Sequence, residues 1–127
     1  MLAAFATANP SGSVAVLPRP QVLDLTHLRR FTMGSVAFER EVVGLFVAEL
    51  PKSLAALERA QTAYEWHMAA HTLKGSALGI GACRLAQAAR EAEQLKYISP
   101  AERTETMTRL QLAIRDVVEE AARLKLI

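Results

Sequence analysis

The chain has 127 residues, which is enough to bury one hydrophobic core but hardly two. A composition of 51% hydrophobic and 22% charged residues is typical of a globular domain and excludes a disordered tail. Six glycines and five prolines are too few for a turn-rich all-β sandwich, and a formal net charge of +2 is too small to favour a nucleic-acid partner.

The cysteine content and the distribution of apolar residues limit where the protein can act. The single cysteine, Cys83, excludes an intrachain disulfide and a cysteine-cluster zinc site, which favours a reducing compartment. No run approaches the ~20 consecutive apolar residues that a membrane-spanning helix needs. We therefore expect a cytoplasmic protein that does not enter a membrane.

The first twenty residues differ from the rest of the chain. Pro10, Gly12, Pro18 and Pro20 predict a flexible N-terminal segment over residues 1–20. No Lys or Arg precedes Arg19, which disfavours a secretion signal. A single domain is then expected over residues 21–127.

That domain begins with three predicted helices. Asp24 is a good N-cap for a short helix over 24–32. The second helix, over 36–60, has one apolar face that passes through Pro51, where we expect a kink rather than an end. The third, over 63–79, starts at the capping-box pattern Thr62-Ala63-Tyr64-Glu65 and stops at the glycines around Gly81.

Two further helices complete the predicted domain. An alanine-rich helix is expected over 82–97, and another over 100–125 after Ser99-Pro100-Ala101-Glu102, a strong start signal. No segment alternates apolar and polar residues as a strand would. Four long amphipathic helices with short connections predict an all-α fold, an antiparallel four-helix bundle with a short additional N-terminal helix.

The third helix places a histidine opposite its apolar face. At about 100° per residue, Trp66 and Leu73 face the core, whereas His71 points away from it. Lys74 and Gly75 lie one turn from His71, offering a cation and a stretch of bare backbone that a partner could approach closely. A mid-helix glycine costs ~1 kcal/mol relative to alanine, so some function should offset it. The same outer face carries Tyr64, His67, Met68 and Leu78, whose apolar members suggest a docking surface.

This segment resembles a known family. Ala70-His71-Thr72-Leu73-Lys74-Gly75-Ser76-Ala77, followed by Gly81 and Leu85, is similar to the signature of histidine-containing phosphotransfer (HPt) domains. The similarity extends upstream through Phe46-Val47-Ala48-Glu49-Leu50-Pro51. Thr62 stands where the family often has Asp, and Leu78-Gly79 replace the commoner Ala-Asn.

The resemblance implies a four-helix bundle with a phosphorylation site. His71 would accept the phosphoryl group, Lys74 would steady its oxygens, and Gly75 would give the partner clearance. From their place on the outer face of the helix, we expect Tyr64, His67, Met68 and Leu78 to contact that partner. We expect Ser76 on the core side of the helix, bonded to a backbone carbonyl of its own helix.

The function implied is histidine phosphotransfer in a two-component phosphorelay, between His71 and the aspartate of response-regulator receiver domains. A hybrid sensor histidine kinase is the other implied partner. The sequence contains no phosphate-binding loop and no acidic cluster suited to Mg²⁺, so we expect a phosphocarrier without autokinase activity and without a bound cofactor. The receiver domain would supply the Mg²⁺.

Two alternatives remain open from the residues alone. One is a helical adaptor with no chemistry. The other is a metal-binding bundle, since His67 and His71 are four residues apart on one helix face. No Glu follows His67 as in the HExxH motif, and His27 is the only other histidine, so we predict no metal site. We expect a monomer.

Overall fold

A computed structural model describes residues 20–96 and 99–127. This part of the chain is all-helical and contains no strand, which confirms the predicted class. Its five helices are α1 (Leu25–Phe31), α2 (Val36–Arg59), α3 (Ala63–Ile80), α4 (Cys83–Glu93) and α5 (Pro100–Arg123). The predicted flexible segment, residues 1–20, lies outside the described residues apart from Pro20, whose carbonyl accepts a hydrogen bond from Arg84 Nε.

Side-chain caps explain where most of these helices begin. Asp24 accepts the backbone N–H of His27 at the start of α1, and Ser35 accepts that of Phe38 at the start of α2. At α5, Ser99 and Glu102 satisfy each other's backbone N–H groups, with Pro100 in the first turn. Each cap gives a partner to an N–H that has no acceptor within its own helix.

The capping box expected at α3 forms only in part. Thr62 accepts the backbone N–H of Glu65 at 3.0 Å, as the pattern predicts. The Glu65 carboxylate, however, accepts the N–H of Gln61 at 2.8 Å instead of that of Thr62. Both donors precede the helix, so the carboxylate still satisfies an otherwise unpaired group.

The fourth helix is shorter than predicted. It ends at Glu93 rather than residue 97, and Gln94 donates its N–H back to the Arg90 carbonyl. The Trp66 indole of α3 donates to the Ala92 carbonyl at 2.8 Å. The Ala92 carbonyl in the last turn of α4 therefore has a side-chain partner and does not need a further helical turn to supply one.

Apolar seams of the four long helices meet in one core. Helix α3 packs against α2 and α4, and α5 packs against α4 and α2, so the contacts run around all four. Small residues of α4 let it approach its neighbours closely. The largest fully buried side chains of these helices are Trp66, Leu50, Leu57, Leu73, Leu85, Leu110, Val43 and Val117.

The predictions for Pro51 and Ser76 can be compared with the structure. Pro51 does not end α2, which continues to Arg59. Ser76 is exposed rather than on the core side, because the α2–α3 seam is open beside it and Ser76 lines a small hollow there with Leu73. The core-facing assignment of Ser76 was therefore wrong.

An arginine of α5 holds the end of α2. Arg103 Nη2 donates to the carbonyls of Leu57, Glu58 and Ala60 at 2.7–2.9 Å. Its guanidinium also lies over the Trp66 ring, 5.2 Å from the centroid. A helix C-terminus leaves its last carbonyls short of partners, so this one charged side chain stabilises the end of α2, where the Leu57 carbonyl also accepts the N–H of Ala60.

We expect Arg103→Met to lower the free energy of unfolding by about 2 kcal/mol, since charge-assisted hydrogen bonds to half-buried carbonyls are lost. Urea denaturation monitored by circular dichroism measures this change. Arg109→Met is the matched control on the same helix, because Arg109 makes only an exposed ion pair with Glu105 and should contribute less than about 0.5 kcal/mol. Equal effects of the two substitutions would contradict a capping role for Arg103.

Candidate functional site

His71 lies in the middle of α3 on its exposed face. Its side chain is 54% exposed, whereas Trp66, Leu73 and Ala77 on the opposite face are fully buried. The imidazole is therefore accessible to a large partner and contributes nothing to the core.

A carboxylate from α4 meets this histidine. Glu93 Oε2 lies 2.6 Å from His71 Nδ1, and Glu93 Oε1 lies 2.6 Å from Lys74 Nζ. The Glu93 side chain is only 11% exposed, so it sits beneath the imidazole rather than beside it in solvent. One carboxylate thus joins the two side chains that the sequence had placed one turn apart.

These contacts favour the ionised form of Glu93. The hydrogen bond from the Lys74 ammonium, followed by that from His71, lowers the pKa of the Glu93 carboxyl below its usual range. The carboxylate is therefore ionised at neutral pH. Because folding lowers this pKa, the resulting stabilisation is present above the usual value of about 4.3 and is lost as the pH falls through the lower folded value.

An ionised Glu93 also fixes the tautomer of His71. A carboxylate can only accept hydrogen bonds, so the proton between the two groups resides on His71 Nδ1. In the neutral imidazole, the lone pair is then on Nε2. The arrangement provides an exposed ring nitrogen that can act as a nucleophile.

His67 lies one turn before His71 and packs beside it. The two rings stack with centroids 6.2 Å apart and an interplanar angle of 14°. His67 Nδ1 is 3.2 Å from the backbone carbonyl of Glu93. Among residues 20–96 and 99–127, no group of three or more His, Cys, Asp or Glu side chains is arranged to hold a metal ion.

Two of the other predicted docking residues lie toward α2. Tyr64 and Met68 are exposed and line an open groove of about 490 Å³ between α2 and α3, together with Thr72. Leu78 is 47% exposed further along α3. The outer face of α3 therefore has two sides: Tyr64 and Met68 border α2, whereas His67 contacts α4.

Gly75 leaves the backbone of α3 uncovered next to His71. It is exposed, and a Cβ added there would meet no atom within 4 Å. Packing within this chain therefore does not require a glycine at this position.

The functional residue that the sequence analysis missed is Glu93. The acidic residues of the sequence form no apparent cluster suited to Mg²⁺, and Glu93 is a single carboxylate 22 residues from its partner. The sequence did contain one signal. In an antiparallel hairpin that turns at Gly81, His71 lies ten residues before the turn and Glu93 twelve residues after it, so the two residues come level with each other along the helix pair. Glu93 also directly follows Ala92, which is one of the buried residues of α4.

The described residues form only helices and display an exposed histidine that is oriented by a carboxylate of the neighbouring helix, an arrangement suited to carry a group on that histidine. The model of the Hpt domain family matches residues 41–124, more than half of the chain. The protein belongs to this family, whose members are phosphocarriers in histidine phosphotransfer and interact with response-regulator receiver domains and kinases. Comparisons with curated proteins and with solved structures found no match.

The family match covers α3, α4 and α5 entirely and most of α2, so it includes every residue of the His71 site. Within the described residues, none of the helices is both long enough and apolar enough to cross a bilayer.

Proposed function

We propose that this protein passes a phosphoryl group between Nε2 of His71 and the aspartate of a response-regulator receiver domain. The observation that carries the proposal is the 2.6 Å hydrogen bond between His71 Nδ1 and Glu93. It supports a lone pair on Nε2 of an imidazole that is more than half exposed.

The transfer step needs no proton to leave the histidine. The Nε2 lone pair attacks the phosphorus of the aspartyl phosphate, and an N–P bond forms as the P–O bond to the aspartate breaks. That electron pair leaves with the aspartate, which becomes a carboxylate. The phosphorylated imidazole retains its Nδ1 proton and is cationic, so the Glu93 carboxylate beneath it stabilises the product ring. The reverse sequence returns the phosphoryl group.

Lys74, one helical turn after His71, is proposed to assist the same transfer step. Its ammonium is held at Glu93 Oε1, with the side chain 22% exposed. In this proposal it steadies the phosphoryl oxygens carried by His71. We expect the receiver domain to supply Mg²⁺, with this chain holding no cofactor of its own. The chain would be a phosphocarrier without autokinase activity, because positioning rather than nucleotide binding is what its site provides.

The proposal also includes the arrangement of the helices, the oligomeric state, the location of the protein and its kinase partner. The four long helices would form an antiparallel four-helix bundle, with α1 at one end. The protein would act as a cytoplasmic monomer and receive phosphoryl groups through a hybrid sensor histidine kinase.

Incubation with a radiolabelled phosphorylated receiver domain tests the proposal. We expect acid-labile label on His71, located by peptide mapping, and its complete loss in His71→Gln. His27→Gln should retain the label, since His27 instead bonds the Gly79 carbonyl on another part of the surface. A His71→Gln protein that still binds the receiver and retains its cellular role would indicate an adaptor without chemistry. Label on His67 would show that the acceptor was misassigned.

The exposed outer face of α3 with Tyr64, Met68 and Leu78, here called the docking face, gives a separate prediction. Met68→Ala and Leu78→Ala should each raise the receiver dissociation constant about three- to tenfold, because apolar area contributes ~25 cal/mol per Å². Lys74→Ala should instead shorten the lifetime of phosphohistidine more than it weakens binding. Calorimetry and label decay separate the two effects. Leu112→Ala, on α5, is a control because it removes an equally exposed leucine outside the proposed face.

A further inference from the structure

Two consecutive residues of α3 hold the last two carbonyls of α4. Trp66 Nε1 donates to the Ala92 carbonyl at 2.8 Å, and His67 Nδ1 lies 3.2 Å from the Glu93 carbonyl. A carbonyl only accepts, so His67 Nδ1 must carry the proton of that hydrogen bond. The final carbonyls of a helix lack partners within it, and such ends fray unless other groups hold them.

Glu93 is therefore held at both its backbone and its side chain. His67 binds the backbone carbonyl, while His71 and Lys74 bind the two carboxylate oxygens. These three residues occupy successive turns on one face of α3. His67 Nε2 is 3.8 Å from Glu93 Oε2, too far for a hydrogen bond. The hydrogen bond from His67 to Glu93 is thus made to the backbone.

This position of Glu93 would otherwise be poorly constrained. It is the last residue of α4, and Gln94 already has a turn conformation. A carboxylate that must stay within hydrogen-bond distance of one imidazole nitrogen needs its backbone fixed to about 0.5 Å. Trp66 fixes the preceding residue from the core, and His67 fixes Glu93 itself from the surface.

We propose that His67 is a positioning residue for phosphotransfer. By holding the Glu93 backbone, it keeps the carboxylate on His71 Nδ1 and the lone pair on Nε2. This role rests on the proposed function of His71 as phosphoacceptor. It differs from a docking role, which the half-exposed His67 side chain would otherwise suggest. Loss of docking raises the receiver concentration needed for half-maximal transfer, whereas loss of positioning lowers the rate at saturating receiver.

Three variants test this role. His67→Ala removes the hydrogen bond, His67→Asn places an amide N–H near the position of Nδ1, and His67→Gln places one near Nε2. At saturating receiver domain, we expect His67→Ala to transfer about tenfold more slowly, as when outer partners of functional histidines are lost. His67→Asn should recover most of the rate, and His67→Gln should not. The half-saturating concentration should stay within twofold of the wild-type value.

Nitrogen-15 NMR of the imidazole of His71 gives a readout that does not need the partner. In the wild-type protein, we expect Nδ1 of His71 to be protonated and Nε2 to be unprotonated. In His67→Ala, the spectrum should shift toward the tautomer mixture of a free imidazole. His27→Ala is the matched control, because it also removes a histidine bonded to a carbonyl in the last turn of a helix, here Gly79 of α3. The spectrum of His71 should not change in that variant.

Each outcome supports or overturns the role. A wild-type tautomer and a wild-type rate in His67→Ala overturn it. A raised half-saturating concentration with an unchanged tautomer makes His67 a docking contact and also overturns it. If His71→Gln still accepts phosphate, the phosphoacceptor assignment fails. The NMR comparison would then still show whether His67 positions Glu93 against His71.

Discussion

Glu93→Gln is expected to slow phosphoryl transfer to His71 by about 10- to 100-fold, the range found for partners that orient functional histidines. The neutral amide cannot balance the positive charge of the phosphorylated ring. Its NH₂ group can also turn toward Nδ1 and favour the tautomer that places the proton on Nε2, where it blocks attack. Rapid-quench measurement of transfer from a phosphorylated receiver domain gives this rate. Receiver affinity should change little, because the Glu93 side chain is only 11% exposed.

Glu91→Gln is the matched control for that experiment. Glu91 lies two residues earlier on α4, is exposed, and contacts Gln87 rather than His71. It should transfer at the wild-type rate. Glu93→Gln transferring as fast as Glu91→Gln would show that the carboxylate takes no part in the reaction.

Local signals in the sequence were enough to predict the helices. Asp24 and Ser99 each cap the helix that they were expected to begin, because a cap depends on residues only two or three positions apart. The end of α4 was less predictable. It depends on Trp66, which is 26 residues away and gives the Ala92 carbonyl a partner from another helix.

The same difference between local signals and contacts distant in sequence applies to the functional site. The periodicity of α3 was sufficient to indicate that His71, Lys74 and Gly75 share its outer face, since the helical repeat determines direction. It could not show that Lys74 and His71 meet on one carboxylate. That contact depends on how α4 is placed against α3, and hence on the packing of the buried small residues of α4, such as Ala89.

This packing also changes how the outer face of α3 should be understood. The sequence suggested one continuous patch around His71, but the structure has an apolar groove toward α2 and a polar network toward α4. Tyr64 and Met68, which we propose contact the receiver domain, lie on the apolar side, whereas Lys74 and Glu93 form the charged side. Gly75 lies beside His71 with nothing above its backbone.

Gly75→Gln is expected to reduce phosphoryl transfer at least about 100-fold while stabilising the fold by about 0.5–1 kcal/mol, because glycine is a poor helix former. The side chain meets no atom of this chain, so the fold accommodates it. It would project beside His71 and prevent the aspartyl phosphate from reaching an in-line position at Nε2, where about 1 Å of displacement already lowers rates strongly. Urea denaturation and rapid-quench transfer measure the two effects on the same protein.

Gly44→Gln separates obstruction from a change in helix stability. Gly44 is a mid-helix glycine of α2, and an added Cβ there also meets no atom within 4 Å. Both variants should gain similar stability, but only Gly75→Gln should lose transfer, with Gly75→Ala intermediate because its side chain is smaller. Wild-type transfer in Gly75→Gln would mean that the receiver domain does not approach across this part of α3, and the docking face would have to be sought elsewhere around His71.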